Sequence, residues 1–137
     1  MKVGIIACEK MIKIGCPGKE ACVSCFKAIN EKSGAFERYK DVELVAFTNC
    51  GGCPGKRYPS RIKLLKNACD VEAIHIANCS LGEPKCPYID FENLSEKLMK
   101  ELGLPIIFGT HNEIKRNVCF HHIHQQIFQK VEFVFLL

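Results

Sequence analysis

In this chain a soft metal ligand follows each of four apolar runs: VGIIA precedes Cys8, LVAFTN precedes Cys50, AIHIAN precedes Cys79 and PIIFGT precedes His111. Thiolates and an imidazole suit zinc, iron or thiol redox chemistry far better than they suit magnesium or calcium. The sharpest motif is Cys50-Gly51-Gly52-Cys53-Pro54-Gly55. Two cysteines separated by two residues can chelate one ion, and the glycines let the backbone fold around it. The same spacing serves dithiol redox chemistry, in which a helix N-terminus lowers the thiol pKa. Lys56, Arg57 and Arg61 add positive charge in the same direction.

Other cysteines carry weaker signals. Cys8 and Cys79 each close a run, and either alone could be a small buried hydrophobe; their equivalent positions beside the CGGC motif argue for the site. Cys86, in Lys85-Cys86-Pro87, sits in a loop that can fold back over the same edge. Cys16, Cys22 and Cys25 form a C-x5-C-x2-C cluster. Cys16 lies in a loop within reach of the site, and a separate iron–sulfur centre there lacks an evident fourth local thiol. Cys69 reads as core and His75 as a satisfied strand residue. His121, His122 and His124 have only Cys119 nearby and are left out of the site. CGGCPGKR is not a phosphate-binding loop, because Cys50 replaces the first glycine and Arg57 the hydroxyl residue. Arg57 is also one residue too far from Cys50 for a cysteine-phosphatase loop.

The elements that must position these residues follow from periodicity. Residues 3–7 read as a buried strand. Over residues 20–33, Cys22, Phe26 and Ile29 predict one face of a helix, and Gly34 a stop. A second strand is expected from Val42 to Thr48. A helix near Ser60 should bury Ile62, Leu65 and Cys69. The third strand is placed at Val71–Ala77. A long loop then leads to a helix capped by Asp90, lined by Phe91, Leu94, Leu98 and Leu102 and ended by Gly103. Pro105 opens the fourth strand. Alternating strands and helices predict a three-layer α/β/α domain with a mostly parallel sheet of four or five strands, flavodoxin-like in order. Right-handed crossovers would bring every strand-to-helix loop to one edge, where ligands bind in such folds.

The chain has 137 residues, enough for one domain with a core independent of disulfide staples. Ten cysteines in such a chain point to metal or thiol chemistry in a reducing compartment, and a cytoplasmic location is expected. A net charge of +4 spread among acids, with no tryptophan, gives no nucleic-acid footprint. The N-terminal apolar stretch is too short for a signal-peptide core, and no run is long enough to span a membrane. Residues 112–137 read as a C-terminal extension of uncertain role. Its apolar end KVEFVFLL is an association hazard unless it is covered or paired in a homodimer.

Taken together, Cys8, Cys16-Pro17-Gly18, Gly34-Ala35-Phe36, Cys50-Gly51-Gly52-Cys53-Pro54-Gly55-Lys56, Cys79, Cys86-Pro87 and Thr110-His111 give a pattern that resembles the CGGC-domain family of small prokaryotic proteins. The resemblance spans residues 1–111. It implies a metal site with ligands at Cys50, Cys53, Cys79, Cys86 and His111, and Cys8 close by. The chain departs from the family where members often carry a histidine after the Cys-Pro pair and it has Tyr88.

Two functions are therefore expected in competition. In one, Cys50 and Cys53 chelate, Cys79 adds a third thiolate and Cys86, Cys8 or His111 completes the sphere of zinc, iron or an iron–sulfur cluster. In the other, Cys50 and Cys53 form the dithiol of a thiol–disulfide oxidoreductase.

Overall fold

Along β1 (Lys2–Ala7) the side chains alternate between two apolar surroundings, as the period of a strand dictates. Val3, Ile5 and Ala7 enter a cluster with Cys25, Ala28, Ile29 and Phe36. Ile6 enters another with Tyr58, Ile62, Leu65, Phe91 and Leu98. A strand apolar on both faces must be covered twice, and this one is. The computed structural model from which these contacts are read describes residues 1–18, 21–82 and 86–112.

The remaining strands of the main sheet are β4 (Glu43–Asn49), β5 (Ala73–Ile76) and β6 (Ile106–Phe108). All pair in parallel, in the order β4-β1-β5-β6. Counted along the chain this is 2-1-3-4, the order of the first four strands in the flavodoxin-like doubly wound arrangement. The order reverses direction between β1 and β5, and in such sheets the crevice outside those two strand ends is where ligands bind. One face carries α3 (Tyr58–Cys69) and α5 (Phe91–Leu102). The other carries α2 (Ser24–Glu31) and a 3₁₀ helix at Gly34–Arg38. The three-layer α/β expectation holds, with four strands in the main sheet of the described residues.

Close packing explains two glycines. A Cβ on Gly4 would sit 3.2 Å from Val71 Cγ1 and 3.3 Å from Leu65 Cδ1, so the glycine lets α3 lie tightly on β1. Gly34 has φ of +59°, and a Cβ there would stand 2.5 Å from the carbonyl oxygen of Thr110. The 3₁₀ helix therefore rests directly on the chain segment that carries His111.

Some local expectations change. The helix expected at 20–33 begins at Ser24 and buries Cys25, Ala28 and Ile29 rather than Cys22, Phe26 and Ile29. Small side chains at 25 and 28 let that stripe approach the sheet, and Phe26 is left half-exposed, stacked on Phe47 with ring centroids 5.2 Å apart. Cys22 instead lies in β3 (Ala21–Cys22), paired with β2 (Pro17–Gly18) in a two-stranded hairpin. Two short helices, α1 (Glu9–Ile14) and α4 (Asn78–Leu81), occupy segments expected to be loops. α1 buries no residue, so it carries no apolar period to read. Asp90 caps α5 by accepting a hydrogen bond from the Asn93 N–H at 3.1 Å, and Gly103 ends it, as expected. Residues 113–137, with Cys119, His121, His122, His124 and the proposed dimer segment, lie outside the described residues.

Candidate functional site

The strands deliver their cysteines to the C-terminal edge one by one. β1 runs into Cys8, whose carbonyl accepts the Ile12 N–H at 3.0 Å and so starts α1. β4 runs into Cys50, held level with β1 by a hydrogen bond from its N–H to the Ala7 carbonyl at 2.9 Å. β5 runs into α4, which contains Cys79. Cys86 comes back over this edge on a loop, its N–H 3.4 Å from the Ser80 carbonyl.

Backbone amides already address two of these sulfurs. The Cys8 N–H donates to Cys79 Sγ at 3.2 Å and the Glu9 N–H to Cys50 Sγ at 3.4 Å. Thus β1, β4 and β5 are tied together through thiol acceptors at the reversal point of the sheet. Burial raises the pKa of the Cys8 thiol, and the neighbouring Cys50 and Cys86 sulfurs add to the rise. Burial pushes Cys79 up to about 11, with Cys8, Cys22 and Cys16 contributing from nearby. The sulfurs are close enough to feel each other's charge.

Tyr58, the first residue of α3, belongs to the same buried cluster as Cys50. Its ring packs edge-on against Phe91 at 5.6 Å and is 1% exposed. Burial holds its hydroxyl pKa well above 10, and the thiols of Cys50, Cys79, Cys86 and Cys8 reinforce the shift. That hydroxyl is buried and has no hydrogen-bond partner among the described residues. Leaving such a group unpaired costs about 1–3 kcal/mol. Cys86 packs against the cluster that Tyr58 and Cys50 share.

The other expected residues are placed differently. Cys53 is exposed at the tip of the glycine loop, apart from buried Cys50. His111 lies beyond β6 beside Cys16, with Nε2 3.7 Å from Cys16 Sγ. Its Nδ1 is 3.0 Å from the Asn112 carbonyl, an arrangement that puts the proton on Nδ1 and leaves Nε2 to accept. Cys22 is near Cys16, and the Cys22 thiol pKa is raised by burial first and by Cys16 second. Cys25 is buried 3.1 Å from Thr110 Oγ1. Cys8 and Cys50 therefore stand at the ends of β1 and β4 with Cys79 in hydrogen-bond reach of the Cys8 amide, and Cys16 pairs with His111. Among the described residues no three Cys, His, Asp or Glu side chains stand in a ready-made metal-binding arrangement. The nine described cysteines are all free.

Several supporting residues have roles that their spacing alone did not reveal. Asn78 Oδ1 accepts the Thr110 N–H at 2.8 Å, and its Nδ2 donates to the His111 carbonyl at 2.8 Å. Asn49 Oδ1 accepts the Gly51 N–H at 2.8 Å and Arg61 Nη1 at 3.1 Å. Each asparagine directly precedes a strand-end cysteine, and this repeated Asn-Cys pair was the available signal. Arg61 spends its charge on the loop backbone and Asn49, not on a thiol. His75 is fully buried and satisfied, 2.7 Å from Tyr39 Oη and 2.9 Å from the Gly109 carbonyl.

An all-parallel four-stranded sheet, helices on both faces and a band of free thiols at the reversal point define an α/β protein with a cysteine-rich edge site. The chain belongs to the CGGC-domain family, whose sequence model matches residues 2–111. It is 72% identical over 121 residues to Uncharacterized protein MJ0582 of Methanocaldococcus jannaschii, covering 87% of this chain and 94% of that one. Uncharacterized protein MJ0766 of the same organism is 35% identical over 63 residues, 45% of this chain and 91% of that one. No solved structure matches. No helix among the described residues is long and apolar enough to cross a membrane.

Proposed function

We propose that the protein binds a metal centre, zinc or an iron or iron–sulfur group, at the C-terminal edge of the sheet. The observation that carries this reading is the placing of Cys8 and Cys50 at the ends of adjacent parallel strands with Cys79 beside them, linked by the Cys8 N–H to Cys79 Sγ and the Glu9 N–H to Cys50 Sγ. Four thiols are the number that tetrahedral zinc or a cluster takes, and binding would have to draw these side chains together from their present places. Exposed Cys53 in the glycine-containing turn of the motif, and His111 beside Cys16, are the further ligands that the sequence supplies. Bound zinc would supply a closed structural site or Lewis acidity, and a cluster would supply electron transfer. The chain's own part is to hold four sulfurs on separate strands and loops and to direct the Cys8 and Glu9 amides at two of them.

Free thiols throughout the described residues fit a reducing compartment, and we place the protein in the cytoplasm. Self-association through residues 112–137 belongs to the same proposal. The test is metal and sulfide analysis of protein purified without oxygen, together with its visible spectrum. Stoichiometric zinc in a colourless protein selects zinc, and iron with sulfide and a brown colour selects a cluster. Protein that retains no metal and takes up neither zinc nor iron sinks the proposal.

A second reading has its own observation: Cys53 is exposed while Cys50, three residues earlier, is buried. An accessible attacking thiol backed by a sheltered partner suits a thiol–disulfide oxidoreductase. It requires metal-free protein with a reversible Cys50–Cys53 disulfide, measured by alkylation and mass analysis against a redox buffer. Absence of that disulfide across the accessible potential range excludes it.

A further inference from the structure

Cys16, Cys22 and Cys25 stand apart from the strand-end thiols, and two of them form a second C-x-x-C spacing, Cys22-Val23-Ser24-Cys25. The spacing spans the entry to α2. Cys22 ends β3, Val23 turns into the helical region with φ of −110° and ψ of −40°, and Ser24 opens the helix. Two helical residues in between set the Cys22 and Cys25 Cα atoms about 5 Å apart, inside the about 4.4–6.8 Å that a disulfide spans. Backbone bonds pin this turn. The Cys16 carbonyl accepts the Val23 N–H at 2.9 Å and the Ser24 N–H at 3.2 Å, and the Lys27 N–H donates to the Val23 carbonyl at 2.9 Å. The two thiols differ in access. Cys25 is buried, its Sγ 3.1 Å from Thr110 Oγ1, whereas Cys22 is half-buried, with Val23 and Phe26 exposed on the same turn.

We propose that Cys22 and Cys25 form a redox-active dithiol that reduces a low-molecular-weight organic disulfide, with Cys22 attacking and Cys25 resolving. The Cys22 sulfur attacks one sulfur of the substrate R–S–S–R, so that a bond from Cys22 Sγ to that sulfur forms and the substrate's own S–S bond breaks. The first RSH leaves with the proton of Cys22. Cys25 Sγ then attacks Cys22 Sγ, the mixed disulfide breaks, and a second RSH leaves with the proton of Cys25. Two electrons pass from the protein to the substrate, and the chain keeps a Cys22–Cys25 disulfide. A dithiol supplied from outside returns the pair to its reduced form by the reverse exchange. The surroundings set the direction of electron flow. Burial raises the pKa of both thiols, that of Cys25 to about 12. The reduced form therefore gains no stabilisation as a thiolate, the feature that makes some C-x-x-C pairs oxidants, and this pair gives electrons up. It needs neither a metal ion nor the Cys50–Cys53 dithiol.

Trypsin isolates the pair. Cleavage after Lys19 and Lys27 gives a peptide, residues 20–27, that holds Cys22 and Cys25 and no other cysteine, while residues 14–19 carry Cys16. The experiment treats the full chain, reduced without oxygen, with excess bis(2-hydroxyethyl) disulfide, then alkylates, digests and weighs the peptides by mass spectrometry. Expected is a peptide 20–27 lighter by two hydrogens and carrying no alkyl group, with two molecules of mercaptoethanol released for each bridge formed. Cys25→Ala, which removes the resolving thiol alone, should hold Cys22 as the mixed disulfide, one hydroxyethylthio group heavier. The wild-type peptide decides the matter even where that variant fails to fold. A wild-type peptide 20–27 that takes up two alkyl groups overturns the inference. So does a Cys22 left as the mixed disulfide in wild type, or one bridged to residues 14–19 through Cys16. Because the peptide contains neither Cys50 nor Cys53, its oxidation is read separately from that of the other pair.

Discussion

A buried thiol resists giving up its proton, and the cysteines of this edge differ in how far they are buried and in what they face. Under the metal reading, Cys8→Ser, Cys50→Ser and Cys86→Ser should each lower zinc or iron retention to a small fraction of wild type. Cys53→Ser should lower it less, because Cys53 is exposed where Cys50 is buried. Metal analysis of the purified variants ranks them, and equal retention by Cys50→Ser and wild type removes the site as drawn. Cys25 gives a separate, metal-independent test. Burial pushes its thiol from 9.0 up to about 12 despite the nearby Thr110 hydroxyl. A folded-state pKa raised above the unfolded value means that the folded chain holds the proton longer. The stabilisation from Cys25 is therefore complete below pH 9 and is lost as pH rises toward 12, at about 1.4 kcal/mol per unit across that window. Denaturant titration of metal-free protein should show this decline, and Cys25→Ala, less stable at pH 7, should flatten it. A slope unchanged in Cys25→Ala refutes the assignment.

The elements hold the site through polar clamps rather than through the helices themselves. Asn78 joins the end of β5 to the segment after β6, bonding the Thr110 N–H and the His111 carbonyl from one buried side chain. Asn78→Ala orphans both groups and should cost about 2–4 kcal/mol, measured by urea denaturation. It should also free the His111 segment, visible as faster amide exchange at Thr110, and a cost below about 0.5 kcal/mol would show that the clamp is not used. Much of this architecture could be read in advance. Strand ends at Cys8, Cys50 and Cys79, the Asp90 cap and the Gly103 stop follow from apolar runs and capping chemistry that act within a few residues. What escaped was set by contacts across the chain. α2 buries Cys25, Ala28 and Ile29 because small side chains fit against the sheet, whereas the bulkier Phe26 stacks on Phe47 of the edge strand β4. The pairing of His111 with Cys16 spans 95 residues and depends on the hairpin of β2 and β3, which no period announces.

At the scale of the whole molecule, the question is whether the metal makes the fold or only occupies it. Small zinc domains unfold without their ion because they lack a core of their own. This chain is built otherwise: both faces of the sheet carry buried apolar clusters, one around Ile6, Ile62, Ile74 and Leu98, the other around Val3, Ile5, Ile29 and Phe36. Cys50 belongs to the first cluster, with Cys86 packed against it, and Cys79 packs against the second, but most of the buried members are aliphatic or aromatic. A chelator should therefore leave the protein folded, with unchanged far-ultraviolet circular dichroism and a cooperative melt. The ion still adds its binding energy to the folded state alone, about 2.7 kcal/mol when free metal is 100 times its dissociation constant. For a chain of this length that corresponds to a rise in melting temperature of about 10 °C. Calorimetry with and without Zn(II) separates the two contributions. Unfolding on chelation would show that the sulfurs are a structural staple, and a melt indifferent to zinc would remove the metal from the edge of the sheet altogether.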